Sequence, residues 1–246
     1  LSGLLFHLLT SRYGDVPRGR MLALIAGTAL VNYLPLRPGL VGRAVYLKRV
    51  YGVAYLDTGK TVVQAAAITA GCGLALAGLA LLLHERPGLD ARFVLGGALL
   101  VPIAAGFVPG LKVWSLCALI RSVEILLWAA RYGAVFSLIG RPIEPLAAIA
   151  FACVGVLATM VPLVSNGLGL REWATGLLAP TLTPHALTFG VTAELVNRAA
   201  ELIVVAAMGI PCLLWLSRSR EAAEPAFTDD PGEPPTPRAP RRDPPS

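Results

Sequence analysis

Charge is what this sequence has least of. Of its 246 residues only 15% are Asp, Glu, Lys or Arg and 55% are hydrophobic, where soluble domains carry about 25% charged residues. With a mean hydropathy of +0.67, so much apolar surface cannot be hidden in one core unless lipid covers part of it. Histidine is nearly absent: His7, His84 and His185 are scattered, so no metal site is expected. The four cysteines, Cys72, Cys117, Cys153 and Cys212, each sit in an apolar run and form no CxxC pair, so they read as small packing residues. Catalytic signatures are missing too. There is no HExxH, GxSxG or GxxxxGK[ST], and His84 and Asp90 stand one residue too far apart for an HxxxxD acyltransferase pattern. Neither an enzyme nor a cofactor is expected. Basic residues clustered among aromatics are also lacking, which removes nucleic acid as a partner.

What is present is a series of apolar runs. Met21 to Leu36, Thr61 to Leu83, Phe93 to Val108, Lys112 to Ile139, Leu146 to Leu163 and His185 to Leu216 read as about six membrane spans. Pro102 should kink the third of these. Leu1 to Thr10 is apolar but too short to span, and the chain begins with Leu1 rather than Met, so a preceding segment is expected. Leu40 to Tyr55 is apolar and aromatic enough to lie in the interface or dip into the membrane. Residues 168–180 count either as a turn region or as one more crossing.

Loop charge sets the orientation. Residues 1–216 hold 16 Lys/Arg against 9 Asp/Glu, and the most basic loop, 37–60, is expected to face the cytoplasm. Six simple crossings would then leave the C-terminus outside. Arg218 and Arg220 favour the inside, and counting 168–180 as a crossing puts it there. From Glu221 onward the chain is proline-rich, with almost no apolar residues, and is expected to be disordered. The division is therefore a membrane domain over 1–216 and a Pro-rich tail over 217–246.

Two features carry candidate chemistry. Charged residues inside spans are costly and face a partner or a water-filled cavity. Arg121, Glu124, Trp128 and Arg131 form one helical stripe, and Glu194, Asn197, Arg198 and Glu201 form another. They read either as glue between two helices or as the lining of a polar path. The second feature is a pair of chain breaks. Pro162 to Glu172 closes one apolar run, breaks at Gly167 and Gly169, and places Arg171 and Glu172 at the start of the next. Pro35 to Arg43 does much the same, with Arg37, Gly39, Gly42 and Arg43. Glycine beside arginine offers backbone N–H groups and a guanidinium together, a combination suited to phosphate. Two such breaks in separate halves are the pattern of transporters with internal repeats, and an ordinary turn with a snorkelling arginine is the plainer reading of each.

Gly167-Leu168-Gly169-Leu170-Arg171-Glu172 resembles the Gly-x-Gly-x-Arg-Glu signature of the lysylphosphatidylglycerol synthase transmembrane-region family, a group of flippase-like and uncharacterised membrane proteins. Asn32, Pro35-Leu36-Arg37-Pro38-Gly39 and Arg43 are similar to that family's earlier element, except that Leu40 stands where an acidic residue is common. Arg198 is similar to a recurring arginine in the family's last part. The resemblance covers residues 20–215. It implies an all-α, polytopic helix bundle with two broken or re-entrant elements, a candidate inverted repeat, in the cell membrane. It also implies movement of a phospholipid or isoprenoid-linked lipid between leaflets. The soluble aminoacyl-transfer domain of bifunctional members has no counterpart, since residues 217–246 are too few.

On this reading Arg37, Gly39, Arg43, Gly167, Gly169 and Arg171 form the lipid-phosphate site, with Glu172 orienting Arg171. Arg121, Glu124, Glu194, Asn197, Arg198 and Glu201 line the path. The alternative is a non-transporting scaffold that recruits a lipid- or glycan-synthesis enzyme through its tail or loops. Deleting 221–246 separates the two: a transporter should keep its full leaflet-exchange rate, whereas a scaffold should lose its partner in a pull-down.

Overall fold

A computed structural model describes residues 1–34, 36–84, 91–161 and 167–221. The described residues fold as an all-helical bundle: α1 (Ser2–Thr10), α2 (Arg18–Val31), α3 (Pro38–Tyr51), α4 (Tyr55–His84), α5 (Ala91–Ala105), α6 (Lys112–Leu138), α7 (Pro145–Ala158), α8 (Leu170–Leu182) and α9 (Leu187–Glu221). Three of them, α4, α6 and α9, are long and apolar enough to cross a membrane. Much of their apolar surface faces outward, as at Leu74, Leu82 and Ile203. Water would penalise that surface by roughly 25 cal/mol per Å² and lipid does not. The chain is a membrane protein.

Contacts between distant residues sort the helix ends into two groups. At one end, Arg12 lies over Trp114 and Lys60 near Tyr13. There Arg20 also donates to Tyr51 Oη at 3.2 Å, and Leu216 packs with Met21 and Leu47. At the other, His84 meets Glu144 at 3.9 Å, Arg141 lies over Phe189, and His185 approaches the Pro142 carbonyl. Helices α4, α5, α6 and α9 therefore run from end to end. Helices α2 and α3 instead start and finish at the Arg12 end, and α7 and α8 at the Arg141 end. Each pair is a hairpin that enters the bundle and returns.

The two hairpin tips meet inside. Arg37, at the tip of the first, donates from Nη2 to the carbonyls of Thr159 and, at 3.0 Å, Val161, at the tip of the second. Thr159 caps α7 and Val161 follows it, at a helix end where carbonyls are left without intrahelical partners.

The tips of both expected breaks thus lie within the bundle, and three helices, α4, α6 and α9, are long and apolar enough to cross a membrane where about six spans are expected. The runs from Met21 and from Leu146 form the first arms of the hairpins, α2 and α7, with 14 residues each. Residues 168–180 do not cross, because α8 returns to its own end. The count then places Glu221 at the same end as Tyr51, so the tail and the 37–60 loop share a side for a different reason than an added crossing. Pro102 lies within α5, which ends three residues later at Ala105. The last helix runs to Glu221 rather than stopping at Leu216, and the rest of the expected tail, 222–246, falls outside the described residues.

The halves correspond. In each, a 14-residue arm leads to a break, a short helix and a long helix: α2–α3–α4, then α7–α8–α9. Packing is exchanged between them, α2 lying along α9 and α7 along α4. Small residues permit the close approach. A Cβ on Gly27 would stand 2.7 Å from Leu213, and one on Gly190 would stand 2.6 Å from the Thr175 carbonyl. Helix α7 is apolar on every side and buried from Leu146 to Cys153, with Phe151 stacked on Tyr132 and Phe136 at 6.0 and 5.2 Å.

This arrangement predicts sidedness. In a cysteine-free background, Ser11→Cys and Lys112→Cys should label with an impermeant maleimide from one side of the membrane, and Arg141→Cys from the other. Labelling of all three from one side would rule out the hairpin topology.

Candidate functional site

The second break is built by backbone that only glycine adopts easily. Gly167 and Gly169 have φ of 73° and 80°, and a side chain at Gly167 would also meet the Ala158 carbonyl at 3.1 Å. The turn delivers Arg171 into the bundle with its side chain fully buried. There Nη2 meets Glu194 at 2.6 Å, Nη1 meets Glu201 at 3.0 Å, and the guanidinium lies over the Trp128 ring at 4.9 Å. Tyr132 Oη donates to Glu194, and Tyr33 Oη donates to Glu201 at 2.8 Å. Arg131 approaches Glu201 at 3.5 Å and lies over the Trp128 ring at 4.5 Å. Arg198 pairs with Glu172 at 2.6 Å.

Two expected roles change. Glu172 does not orient Arg171, because its carboxylate is committed to Arg198. Nor does Arg171 face a ligand space: two carboxylates enclose it in the bundle interior. The stripe on α9 joins it to α6 through Arg131 and Tyr132, to α8 through Arg171 and Glu172, and to the first tip through Tyr33, and its Glu201 also reaches a cavity. Asn197 belongs to the same face, fully buried, with neither amide atom hydrogen-bonded among the described residues. The stripe on α6 divides. Arg131 joins the α9 network, whereas Arg121 pairs within its own helix with Glu124 at 2.8 Å, and Glu124 accepts from Ser2 Oγ at 2.7 Å.

The first break is built without glycine at its tip. Leu36 and Arg37 hold φ of 64° and 49°, a left-handed conformation that ordinary residues adopt at a cost of order 1–3 kcal/mol. The hydrogen bonds from Arg37 to α7 hold it there. Gly39 is needed one turn on, since a Cβ would lie 2.4 Å from the Thr28 carbonyl and 2.5 Å from Asn32 Oδ1. That approach brings Arg43 under α2. Arg43 is 5% exposed, reaches Thr28 Oγ1 at 3.3 Å and lies over the Phe6 ring at 4.4 Å. Among the described residues its Nε and Nη1 have no hydrogen-bond partner, and no carboxylate lies within 4.0 Å of it.

Between Arg43 and the α4–α6 pair is a cavity of about 390 Å³. Its walls include Arg37, Arg43, Arg121, Glu124, Trp128 and Glu201. The candidate residues thus fall into two groups: Arg37, Arg43, Arg121, Glu124 and Glu201 reach the cavity, while Arg171, Glu172, Glu194, Asn197 and Arg198 form the paired network beside it. Gly167 and Gly169 shape the second tip. Pro35 and Pro162–Asn166, which belong to the two sequence motifs, lie outside the described residues.

Tyr33, Tyr132, Thr28, Phe6 and Ser2 were not legible as site residues. Tyr132 had one signal, since Glu124, Trp128 and Tyr132 recur at intervals of four on α6. The others carry no charge and gain their roles only through contacts far along the chain. The chain matches no family model, no curated protein and no solved structure. The likeness to the lysylphosphatidylglycerol synthase transmembrane-region family rests on the motif residues alone.

The two buried arginines should answer differently to truncation. Arg171→Met leaves Glu194 without a cation and Glu201 with Arg131 alone, and should lower stability by about 3–5 kcal/mol. Arg43→Met removes a buried charge that no carboxylate among the described residues balances and should leave the thermal midpoint in detergent unchanged or raised. Equal losses for both would show that Arg43 is neutralised after all.

Proposed function

We propose that this chain is a multi-pass cell-membrane lipid transporter of the flippase type, which carries an anionic lipid headgroup through the cavity at the hairpin tips. One observation supports this most. A guanidinium with two unpartnered nitrogens, buried at mid-bundle beside a cavity, is unfavourable unless a ligand supplies its anion. Phosphate suits a guanidinium, which offers a planar fork of donors. Arg43 would hold the phosphate, with Arg37 and Asn32 at the same wall.

Hydrocarbon has a place as well. On the far side of α4 and α6, an apolar cavity of about 430 Å³ is lined by Ala75, Leu79, Val101 and Trp114. A lipid with its headgroup between the tips would keep its chains in such apolar surroundings. Passage between leaflets requires the tips to part, which breaks the Arg37 bonds to α7 and the Tyr33–Glu201 bond. The paired network on α9 would keep the second half rigid while this happens. The protein then supplies a polar route and no bond is made or broken in the lipid.

The test is a leaflet assay in reconstituted vesicles with a fluorescent phosphatidylglycerol. Wild type should equilibrate the two leaflets, and Arg43→Met should slow exchange at least about tenfold at an unchanged thermal midpoint. Folded Arg43→Met that exchanges lipid at the wild-type rate would overturn the site.

A further inference from the structure

The two tips follow one plan with different residues. Tyr55 follows Pro38 at the same spacing as Leu187 follows Leu170, these being the first residues of the short and long helices in each half. In that register Arg37 stands at the position of Gly169. Each caps the start of its short helix, and each has a positive φ, 49° for Arg37 and 80° for Gly169. Turning the chain into a short helix therefore asks for this backbone in both halves. Glycine adopts it freely. Arg37 does not, and Leu36 before it also holds a positive φ, of 64°. Pro38 adds to the strain, because a residue that precedes proline is driven toward extended backbone.

The tips also differ in what holds them. Arg171 ties the second to α9 through two ion pairs. Carried along the same register, Val62, Ala65, Ala66 and Thr69 of α4 stand where α9 has Glu194, Asn197, Arg198 and Glu201. The long helix of the first half thus offers its tip no charge at those positions. What holds the first tip comes from the other half: Arg37 donates to the Thr159 and Val161 carbonyls, and Tyr33 donates to Glu201. Leu36 adds little packing, since it is 86% exposed.

From this we infer that the first tip is a strained gate: the left-handed backbone at Leu36 and Arg37 favours parting of the tips, and the bonds from Arg37 hold them shut. The inference rests on the transport reading above and names its moving element. One residue carries both the strain and the latch, so the two are coupled. Breaking the latch bonds frees Arg37 to take the extended backbone that Pro38 favours, which turns its guanidinium away from α7. Re-forming them restores the strain. An anionic headgroup is a stronger partner for a guanidinium than a neutral carbonyl. It would compete for Arg37 and so release the gate, while the glycine-built second tip stays in place.

Leu36 lets the strain be changed while the latch is kept. In the full chain, cysteine-free and purified in detergent, spin labels at Leu34→Cys and Met160→Cys report the ratio of parted to closed tips. Leu36→Gly and Leu36→Asn accept a positive φ more readily and should lower that ratio at least about fivefold. Leu36→Val, a strong outlier at positive φ, should raise it by as much. Arg37→Met removes the latch and should leave the tips mostly apart. The same ratio in Leu36→Gly, wild type and Leu36→Val, or closed tips in Arg37→Met, would overturn the gate and leave the transport reading standing. A shift in Leu36→Gly that Leu36→Asn does not share would also overturn it, since loss of the side chain and not backbone strain would then be the cause. If the ratios follow the expected order in a protein that exchanges no lipid between leaflets, the gate stands and the transport reading falls.

Discussion

The structure depends on one constraint: charge placed deep in an apolar bundle must be balanced where it stands. The bundle meets it at Arg171, whose guanidinium lies between Glu194 and Glu201. Arg171 and Glu194 are fully buried, so an isolated member of the set would be strongly unfavourable. The pairing also decides which elements can sit together. Arg171 belongs to the short helix of the second hairpin, its carboxylates to α9, Arg131 to α6, and the Tyr33 hydroxyl on Glu201 to the first tip. Four separate parts of the chain converge because none of these groups has a better partner elsewhere.

A second constraint acts at the tips, where helices end far from either end of the bundle. Open backbone at that depth is tolerated only when protein or a polar cavity covers it. The two breaks meet this need in each other. The carbonyls of Thr159 and Val161, past the end of α7, accept from Arg37, so one tip supplies the donor and the other the acceptors. This explains why Arg37 keeps its unfavourable left-handed backbone: any ordinary turn there would carry the guanidinium away from α7. Tip contact and ion network are also linked, because Glu201 takes Arg171 on one side and Tyr33 on the other.

Much of this was legible in the sequence, for identifiable reasons. Apolar runs mark helices in lipid, and Gly167, Gly169 and Pro38 mark the breaks, because each acts through its own local chemistry. The charged stripes were legible as faces, because helical spacing fixes which side a residue occupies. Partners were not. Periodicity cannot tell that Glu172 meets Arg198 and not its neighbour Arg171, since that depends on the distance between α8 and α9. The fold of the short arms was hidden for the same reason. A run such as Leu146 to Leu163 has the composition of a span, and only contacts at both ends of α7 and α8 make it an arm that returns.

The least legible feature was an absence. Val62, Ala65, Ala66 and Thr69 are ordinary residues for a membrane helix, and nothing local to α4 marks them. Their meaning appears only when α4 is laid on α9, because the same face in the same register carries Glu194, Asn197, Arg198 and Glu201. One half has spent that face on neutralising its own arginine and has become a fixed part of the bundle. The other has kept its arginine and omitted the counter-charges, which leaves both a cavity and an electrostatic demand. A symmetric pair of paired networks would be more stable and would hold nothing. The asymmetry between two otherwise matching halves is what leaves a cavity beside Arg43.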